Sequence, residues 1–588
     1  MKNVLKYLVI FLLILSFGLS LVACSRGEND TDDEPDNSQE EGDKTVDLEK
    51  TQLYIANYYG GVGDTWLKRV ARAFESANEE TVFETGKKGV QVHVYNDKTI
   101  DGAGLGSVLA NDSGDSTKEG NAIYFTESVS YYELINAGVI AEITDIVTAK
   151  SENFDLNGDG TAELVSIEDK MDATLREYYK TADGKYYGLP FYNGFFAMYY
   201  DVDLFDEMDY YFADVASTTL DGNKNNKSAG PDGVAGTYDD GLPATYAQFE
   251  ILMSVMRTDS VYPFIWTAAY PDYFQKFMTS FWVDYEGYEN SMLNVTLEGT
   301  ATDLINVDAS GNITKLPSTE ITSGKNGNAY LLQKQEGKYY ALKFIRSLLS
   351  NGLNYDPLSV GMGLTHTGAQ ERFLKSSKIA GKEGAQRIAM LIEGNWWEHE
   401  ATNVFSSMTN SYGPQWAKTS RRIAIMPTPK ASLDDLGGSV IYDMNRSACF
   451  VNANTPASQM PVAKAFMQFV HNNQSLSTFN AVTSMPRPYA YTITEEDMEN
   501  ISYFGLSTYN YVKNAQVVYP RNDENAFYLN NEIYFSAGND WGWTTIINGQ
   551  KREGSSLIGY FRTNQFTAEE WFAGLETYHR GRWDYLTN

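Results

Sequence analysis

The chain has 588 residues, 43% hydrophobic and 14% aromatic, with a formal net charge of −31. That length supports roughly two to four domain-sized units and a large buried core. The acidic balance excludes a nucleic-acid partner, which needs a basic face, and weighs against a polyanionic substrate.

In chain order, Lys2 and Lys6 precede the apolar run Tyr7–Leu19, and Leu21-Val-Ala-Cys24 follows. A charged start, a short apolar segment and small residues before a cut site read as a secretory signal over residues 1–23. The run is too short for a comfortable membrane span of ~20 residues. Leu-Val-Ala-Cys resembles the bacterial lipobox. That resemblance implies cleavage before Cys24, lipid (palmitate-type acylation) on its thiol and new amino group, and an extracytoplasmic protein anchored to the cell membrane. Residues 24–50 are rich in Asp and Glu and poor in large apolar side chains, and so read as an acidic flexible tether. The second cysteine, Cys449, lies in the apolar string Ser447–Val451 and reads as a small core residue, leaving no disulfide framework.

The body begins with a strand at Leu53–Ala56, a glycine-rich loop at Asn57–Gly63, and a helix capped by Asp64 or Thr65 that carries Trp66, Leu67, Val70, Ala71 and Phe74. Val90–Val94 and Asn121–Phe125 read as further strands, and Tyr131–Ala137 as a helix stopped by Gly138. Asp183-Gly184 reads as a tight turn between extended segments. Lys338–Leu349 and Pro461–Val470 read as helices, Ile388–Ile392 and the run from Ile423 to the prolines as strands. This alternation predicts an α/β fold. Two polar inserts, 155–163 and 221–242, interrupt it. Asp155, Asn157, Asp159, Thr161 and Glu163 alternate oxygen donors around Gly160, a spacing that resembles the start of an EF-hand loop and suggests a structural Ca²⁺. The twelfth position is Ser166, so closure would need Glu168 or Asp169 to fold back. Asp221, Asn223, Asn225 and Asp232 repeat the spacing less fully.

Five strings occur in order: "GDTWLKRVARAFESAN", "DGKYYGLPFYNGFFAMYYDVDLF", "AMLIEGNWWEHEA", "IAIMPTPK" and "KAFMQFVHNNQSLSTFNAVTSMPRP". Together they resemble the extracellular solute-binding proteins of bacterial ABC importers, in particular the carbohydrate-binding group similar to maltose-binding protein. The resemblance implies a two-lobed periplasmic-binding-protein-like fold (type II), with the ligand cleft between lobes joined by crossing hinge strands. It places lobe one at 51–190 plus a return at 425–485, and lobe two at 191–424 plus 486–588. The implied partners are a carbohydrate ligand, ABC permease membrane subunits with a separate ATPase, and the membrane through the N-terminal lipid; a monomer is expected.

The residues suit a sugar, whose C–H faces want aromatic rings and whose hydroxyls want carboxylates, amides or Arg. The 41 Tyr and 10 Trp fit such a surface. Trp396 and Trp397 with Glu393 and Asn395 supply that mixture, and the resemblance puts them at the cleft. Trp66, Tyr192, Asn193 and Arg487 are further substrate-binding candidates, followed by Trp266, Tyr270, Trp541 and Trp543. Adjacent residues rarely face the same way, so one of Trp396 and Trp397 should be core. No catalytic residue is assigned and a binding receptor, not an enzyme, is expected. Glu398-His399-Glu400 has Asn403 where a zinc helix needs a second His. The alternatives are a lipid-anchored glycoside hydrolase or polysaccharide lyase, whose paired carboxylates need no local motif, and a polysaccharide-binding adhesin.

Overall fold

The computed structural model describes residues 45–115, 117, 120–361, 363–379, 386–519 and 542–587. Cys24, the signal segment and Trp541 lie outside the described residues. Among those described, no helix is long and apolar enough to cross a membrane.

β1 (Thr51–Tyr58), β2 (Val90–Asp97) and β3 (Ile123–Thr126) form a first sheet, with β1 central and parallel to both neighbours. β1 is buried from Thr51 to Asn57, as a parallel strand covered on both faces must be. Helix α1 (Thr65–Ala77) turns Trp66, Leu67, Val70, Ala71 and Phe74 inward. Phe74 meets Phe466 edge-on and Trp66 meets Phe479, which fastens the late helices Met460–Phe469 and Asn473–Thr483 to the first strands. Asp64 does not cap α1. Its carboxylate accepts instead from Asn96 at 2.6 Å and pairs with Lys68 at 2.9 Å.

The chain leaves this sheet through Leu189–Phe195. β4 (Phe196–Asp201), β5 (Val261–Ile265), β6 (Arg387–Gly394) and β7 (Ile423–Met426) then build a second sheet in the order β7-β4-β6-β5. β4 runs antiparallel to β6 and β7, and β6 parallel to β5. The chain returns through Asp443–Ser447 to β8 (Ala448–Val451), which lies antiparallel to β3 at the edge of the first sheet. The two crossing segments bond to each other: the Met444 amide donates to the Gly194 carbonyl and the Cys449 amide to the Leu189 carbonyl, each at 2.7 Å. A third passage follows Met485, where the Tyr489 hydroxyl donates to the Pro190 carbonyl at 2.8 Å.

The expected return at 425 falls inside β7, which belongs to the second sheet. Pro427 and Pro429 lack the amide a ladder needs. The segment after them nevertheless stays on the second-sheet side, because Lys430 is buried in an ion pair with Asp284 at 2.8 Å. Only at Ala448 does the chain rejoin the first sheet. Beyond 486, helix Tyr503–Asn514 packs on β7, and helix Ala568–Thr587 packs on helix Glu336–Leu349. The helix Pro271–Thr296 was not anticipated; it kinks at Gly287, whose φ of +70° suits glycine. Helix Tyr131–Ala137 ends at Gly138 with φ +68°, as its sequence indicates. Asp183-Gly184 is a turn, closed by the Gly184 amide on the Thr181 carbonyl, but no sheet strands flank it. Cys449 is fully buried, and burial pushes its thiol up to about 12, fitting a core role.

Candidate functional site

β6 ends at Gly394, and the next three residues separate two tasks. Asn395 is fully buried. Its side-chain amide donates to the Asn193 carbonyl at 2.9 Å, and its oxygen accepts from the Phe195 amide at 3.2 Å. It therefore pins β6 to the crossing segment and does not face a ligand. Trp397 opens a short helix (Trp397–Glu400) and is fully buried among Tyr199, Phe373, Phe405 and Phe504. Trp396 points the other way. Its ring stands perpendicular to Phe196 at 5.2 Å and to Tyr273 at 6.4 Å. A Cβ on Gly394 would lie 2.3 Å from that ring, and one on Gly61 would lie 2.4 Å from its Cδ1. Gly61 belongs to the loop after β1. Trp396 is thus where the loop of the first sheet meets the second.

Around this contact the two sheets present different groups. From the second come Tyr270, which is 39% exposed and stacks on Tyr273 at 5.7 Å, and His366, edge-on to Tyr270 at 5.3 Å. Glu400 accepts from Gln370 at 2.8 Å and lies 2.8 Å from where a Gly61 Cβ would be. Glu393 is fully buried at the end of β6. Burial, then the Glu400 charge, holds its carboxyl well above the usual range. Its Oε2 has no hydrogen-bond partner among the described residues. The first sheet contributes Tyr58, Asp101 and Glu127. Burial and the charges of Glu127 and Asp101 push the Tyr58 hydroxyl up to about 12. Burial pushes Glu127 up to about 7, against a hydrogen bond from Tyr192. Tyr192 is itself buried and accepts from Asn445 at 2.9 Å. Asp443, on the returning segment, is raised to about 7 by burial while accepting from the Gly194 amide at 3.1 Å.

Of the residues chosen from sequence, Trp396 and Tyr270 line this face, Glu393 lies at its base, and Tyr192 reaches it through Glu127. The others do not. Trp66 is fully buried against Phe125, Phe191 and Phe479. Trp266 is buried against Phe274 and Tyr355. Asn193 is buried and donates to Tyr519 at 3.3 Å. Arg487 is 2% exposed, with its guanidinium 5.1 Å from the Phe479 ring centre and no hydrogen-bond partner among the described residues. Trp543 is buried against Trp282. Asn193 and Arg487 instead border a separate cavity of about 450 Å³, with Tyr489, Tyr491, Tyr509 and Tyr519. Sequence reasoning missed Tyr58, Asp101, Glu127, Tyr273, His366 and Glu400. The glycine loop at 57–63 was the one available signal for the first-sheet side.

Glu398, His399 and Glu400 diverge. Glu398 accepts from Ser484 and Ser502 at 2.6 Å, whereas His399 is buried opposite Gly63, and burial lowers it to about 4. The insert at 155–163 is a hairpin loop whose oxygens already accept backbone amides. Asp155 takes those of Gly158 and Gly160 at 2.8 Å, and Asp159 that of Thr161 at 2.8 Å. Glu163 sits in the hairpin ladder opposite Phe154. Glu168 accepts from Lys180 and Tyr186, and Asp169 from Lys150 and Ser166. Among the described residues no group of three acidic, His or Cys side chains gathers as a metal site. In the second insert, Asp221 accepts from Ala213 and Ser217, and Asp239 from the Asp232 amide.

No family model matches the chain, and no curated protein matches it. Among solved structures it is similar to the solute-binding protein RafE in complex with raffinose, at 14% identity over 92% of this chain and 100% of that one, with a TM-score of 0.47. It is also similar to the Thermus thermophilus maltotriose binding protein bound with maltotriose, at 15% identity over 90% and 99%, with a TM-score of 0.45. A chitin oligosaccharide binding protein matches at 14% identity over 90% and 98%, with a TM-score of 0.48.

Proposed function

We propose that the protein is a lipid-anchored saccharide receptor of an ABC importer, which captures an oligosaccharide between its two sheets and hands it unaltered to a membrane permease. The observation that carries this reading is the meeting of the Gly60-Gly61 loop with Trp396, ringed by Tyr58, Tyr270, Tyr273 and carboxylates from both sheets. Aromatic faces cover sugar C–H surfaces, and carboxylates accept from hydroxyls. The mechanism is a two-state hinge. The crossing segments 189–195 and 443–449 hold the halves together, and withdrawal of the loop uncovers Trp396. A ligand touching both sides then favours closure by its differential affinity. Cys24 supplies the lipid, and the ATPase is a separate subunit. A calorimetric screen of neutral and charged oligosaccharides tests the reading. Binding with unchanged sugar supports it, whereas cleavage of the sugar replaces it with a glycosidase or lyase. Binding without any loss of uptake on gene deletion points to an adhesin.

A further inference from the structure

We infer that the cavity beside Arg487 is a second ligand site, distinct from the Trp396 face, and that it takes a small carboxylate carried on a ring. The cavity, about 450 Å³, falls in the size range of small-molecule sites and shares no lining residue with that face. Its walls come from both halves of the molecule. The loop 154–158 and residues 169–172 stand on one side, where Lys170 donates to the His471 carbonyl between the helices fastened to the first sheet. Tyr509 and Lys513 stand on the other, on the helix that packs on β7. Asn193 and residues 486–492 line it from the crossing passages, so an occupant touches both halves and the hinge.

Arg487 sets the charge of that occupant. Its Nε, Nη1 and Nη2 all lack a hydrogen-bond partner among the described residues, although the residue is 2% exposed. A charge taken out of water is ordinarily paired. The groups that favour this one are Tyr489, Cys449 and Tyr491, none of them a carboxylate. Lys170, which feels the Arg487 charge, is already paired with Glu152 at 2.8 Å. The carboxylates bordering the cavity are engaged with their own segments: Asp155 accepts from the Gly158 and Gly160 amides, Asp169 from Lys150, and Asp172 from the Leu175 amide at 2.7 Å. The missing partner is an anion from outside, and a planar guanidinium fork matches a carboxylate through two parallel hydrogen bonds. Lys513, an exposed lining residue in no ion pair among the described residues, adds a second positive charge. The remaining wall sets the body of the ligand. Phe154, Tyr489, Tyr491, Tyr509 and Tyr519 border the cavity. The Tyr509 hydroxyl donates to the Tyr491 carbonyl at 2.7 Å, that of Tyr489 donates to the Pro190 carbonyl at 2.8 Å, and that of Tyr491 accepts from the Arg487 amide at 3.3 Å. With these hydroxyls committed, the wall offers ring surface, which packs on another ring. An aromatic acid and a uronic acid share this chemistry.

Calorimetry and melting curves of the purified protein with benzoate and glucuronate test the site, with benzamide, glucose and chloride as controls. At least one ring acid should bind and raise the melting temperature, and its uncharged counterpart should bind roughly tenfold more weakly or less. Whichever acid binds identifies the source of the carboxylate. Arg487→Met and Lys513→Ala should each weaken that acid, Arg487→Met by roughly tenfold, while Trp396→Ala leaves it unchanged. The acid-to-amide comparison needs no variant, and Lys513 is exposed, so a folding defect at Arg487 does not decide the outcome. Binding of neither acid, equal binding of acid and uncharged counterpart, or binding of chloride alone overturns the inference. Loss of the acid in Trp396→Ala but not in Arg487→Met moves it to the saccharide face and also overturns the second site. None of these results bears on saccharide capture at Trp396, which is tested separately.

Discussion

At the residue scale, the two adjacent tryptophans give opposite expectations. Trp396→Ala should weaken saccharide binding at least tenfold, about 1.4 kcal/mol, and, because Trp396 is only 8% exposed, should lower stability as well. Trp397→Ala removes a fully buried ring and should cost about 3–5 kcal/mol of stability. Calorimetry and chemical denaturation separate the two; a Trp397 variant that folds normally and loses sugar would reverse the assignment. Arg487 is a buried cation boxed by Trp66, Phe479 and Tyr489. Arg487→Met should leave sugar affinity unchanged and should not lower stability strongly, because it removes a buried charge with no hydrogen-bond partner among the described residues. A binding defect at normal stability would return Arg487 to the list of ligand contacts.

Acidity acts at the same scale. Glu127 and Asp443 are raised from 4.5 and 3.8 to about 7, so between these limits the folded protein holds protons that the unfolded chain has lost. Their contribution is complete below the unfolded values and disappears as pH rises through about 7. The melting temperature should therefore fall from pH 5 to pH 8. In Asp443→Asn the fall should be smaller; an identical slope would show that Asp443 does not titrate in this range. The groups facing this pair are Asp101, Tyr192, Lys276, Arg446 and the Gly194 amide.

At the scale of elements, the loop after β1 is the working part. Gly61 has no room for a side chain against Trp396, so Gly61→Val should push the loop off the ring. Acrylamide quenching of tryptophan fluorescence should then rise, and the rise should vanish in a Gly61→Val, Trp396→Phe double variant. In the insert at 155–163, Asp155 and Asp159 already accept backbone amides of their own loop, which shapes the ring of oxygen donors. Adding Ca²⁺ to metal-stripped protein tests the proposed structural Ca²⁺: it should raise the melting temperature, and no rise removes the calcium proposal.

Elements were legible where a short-range rule decides them. The glycine after Tyr131–Ala137, the inward stripe of α1 and the prolines ending β7 each act within a few residues. Trp66, Trp266 and Asn395 lie buried in packing, a placement sequence does not reveal because it shows residue type, not direction. A Trp at a helix start and an Asn after a strand look equally apt for ligand or core, and only packing from distant segments, such as Phe479 on Trp66, separates the two. Glu127 and Asp101 carry no local mark; they join Glu400 only through the sheet order. The chain rejoins the first sheet only at Ala448, a point no local signal marks, and the Lys430–Asp284 pair that follows β7 spans 146 residues.

At the scale of the whole molecule, two four-stranded sheets are joined by paired crossing segments, on which the proposed hinge rests. The N-terminal reading adds a tether: Cys24→Ser should release the protein from membranes into the medium, and retention at the membrane would argue against lipid attachment. The central claim is that a saccharide is held between the two sheets at Trp396. Small-angle scattering with and without a saccharide shown by calorimetry to bind tests it most directly. The radius of gyration should fall on saturation in the native protein and stay constant in Trp396→Ala at the same sugar concentration. An unchanged radius in native protein with sugar bound would contradict the account.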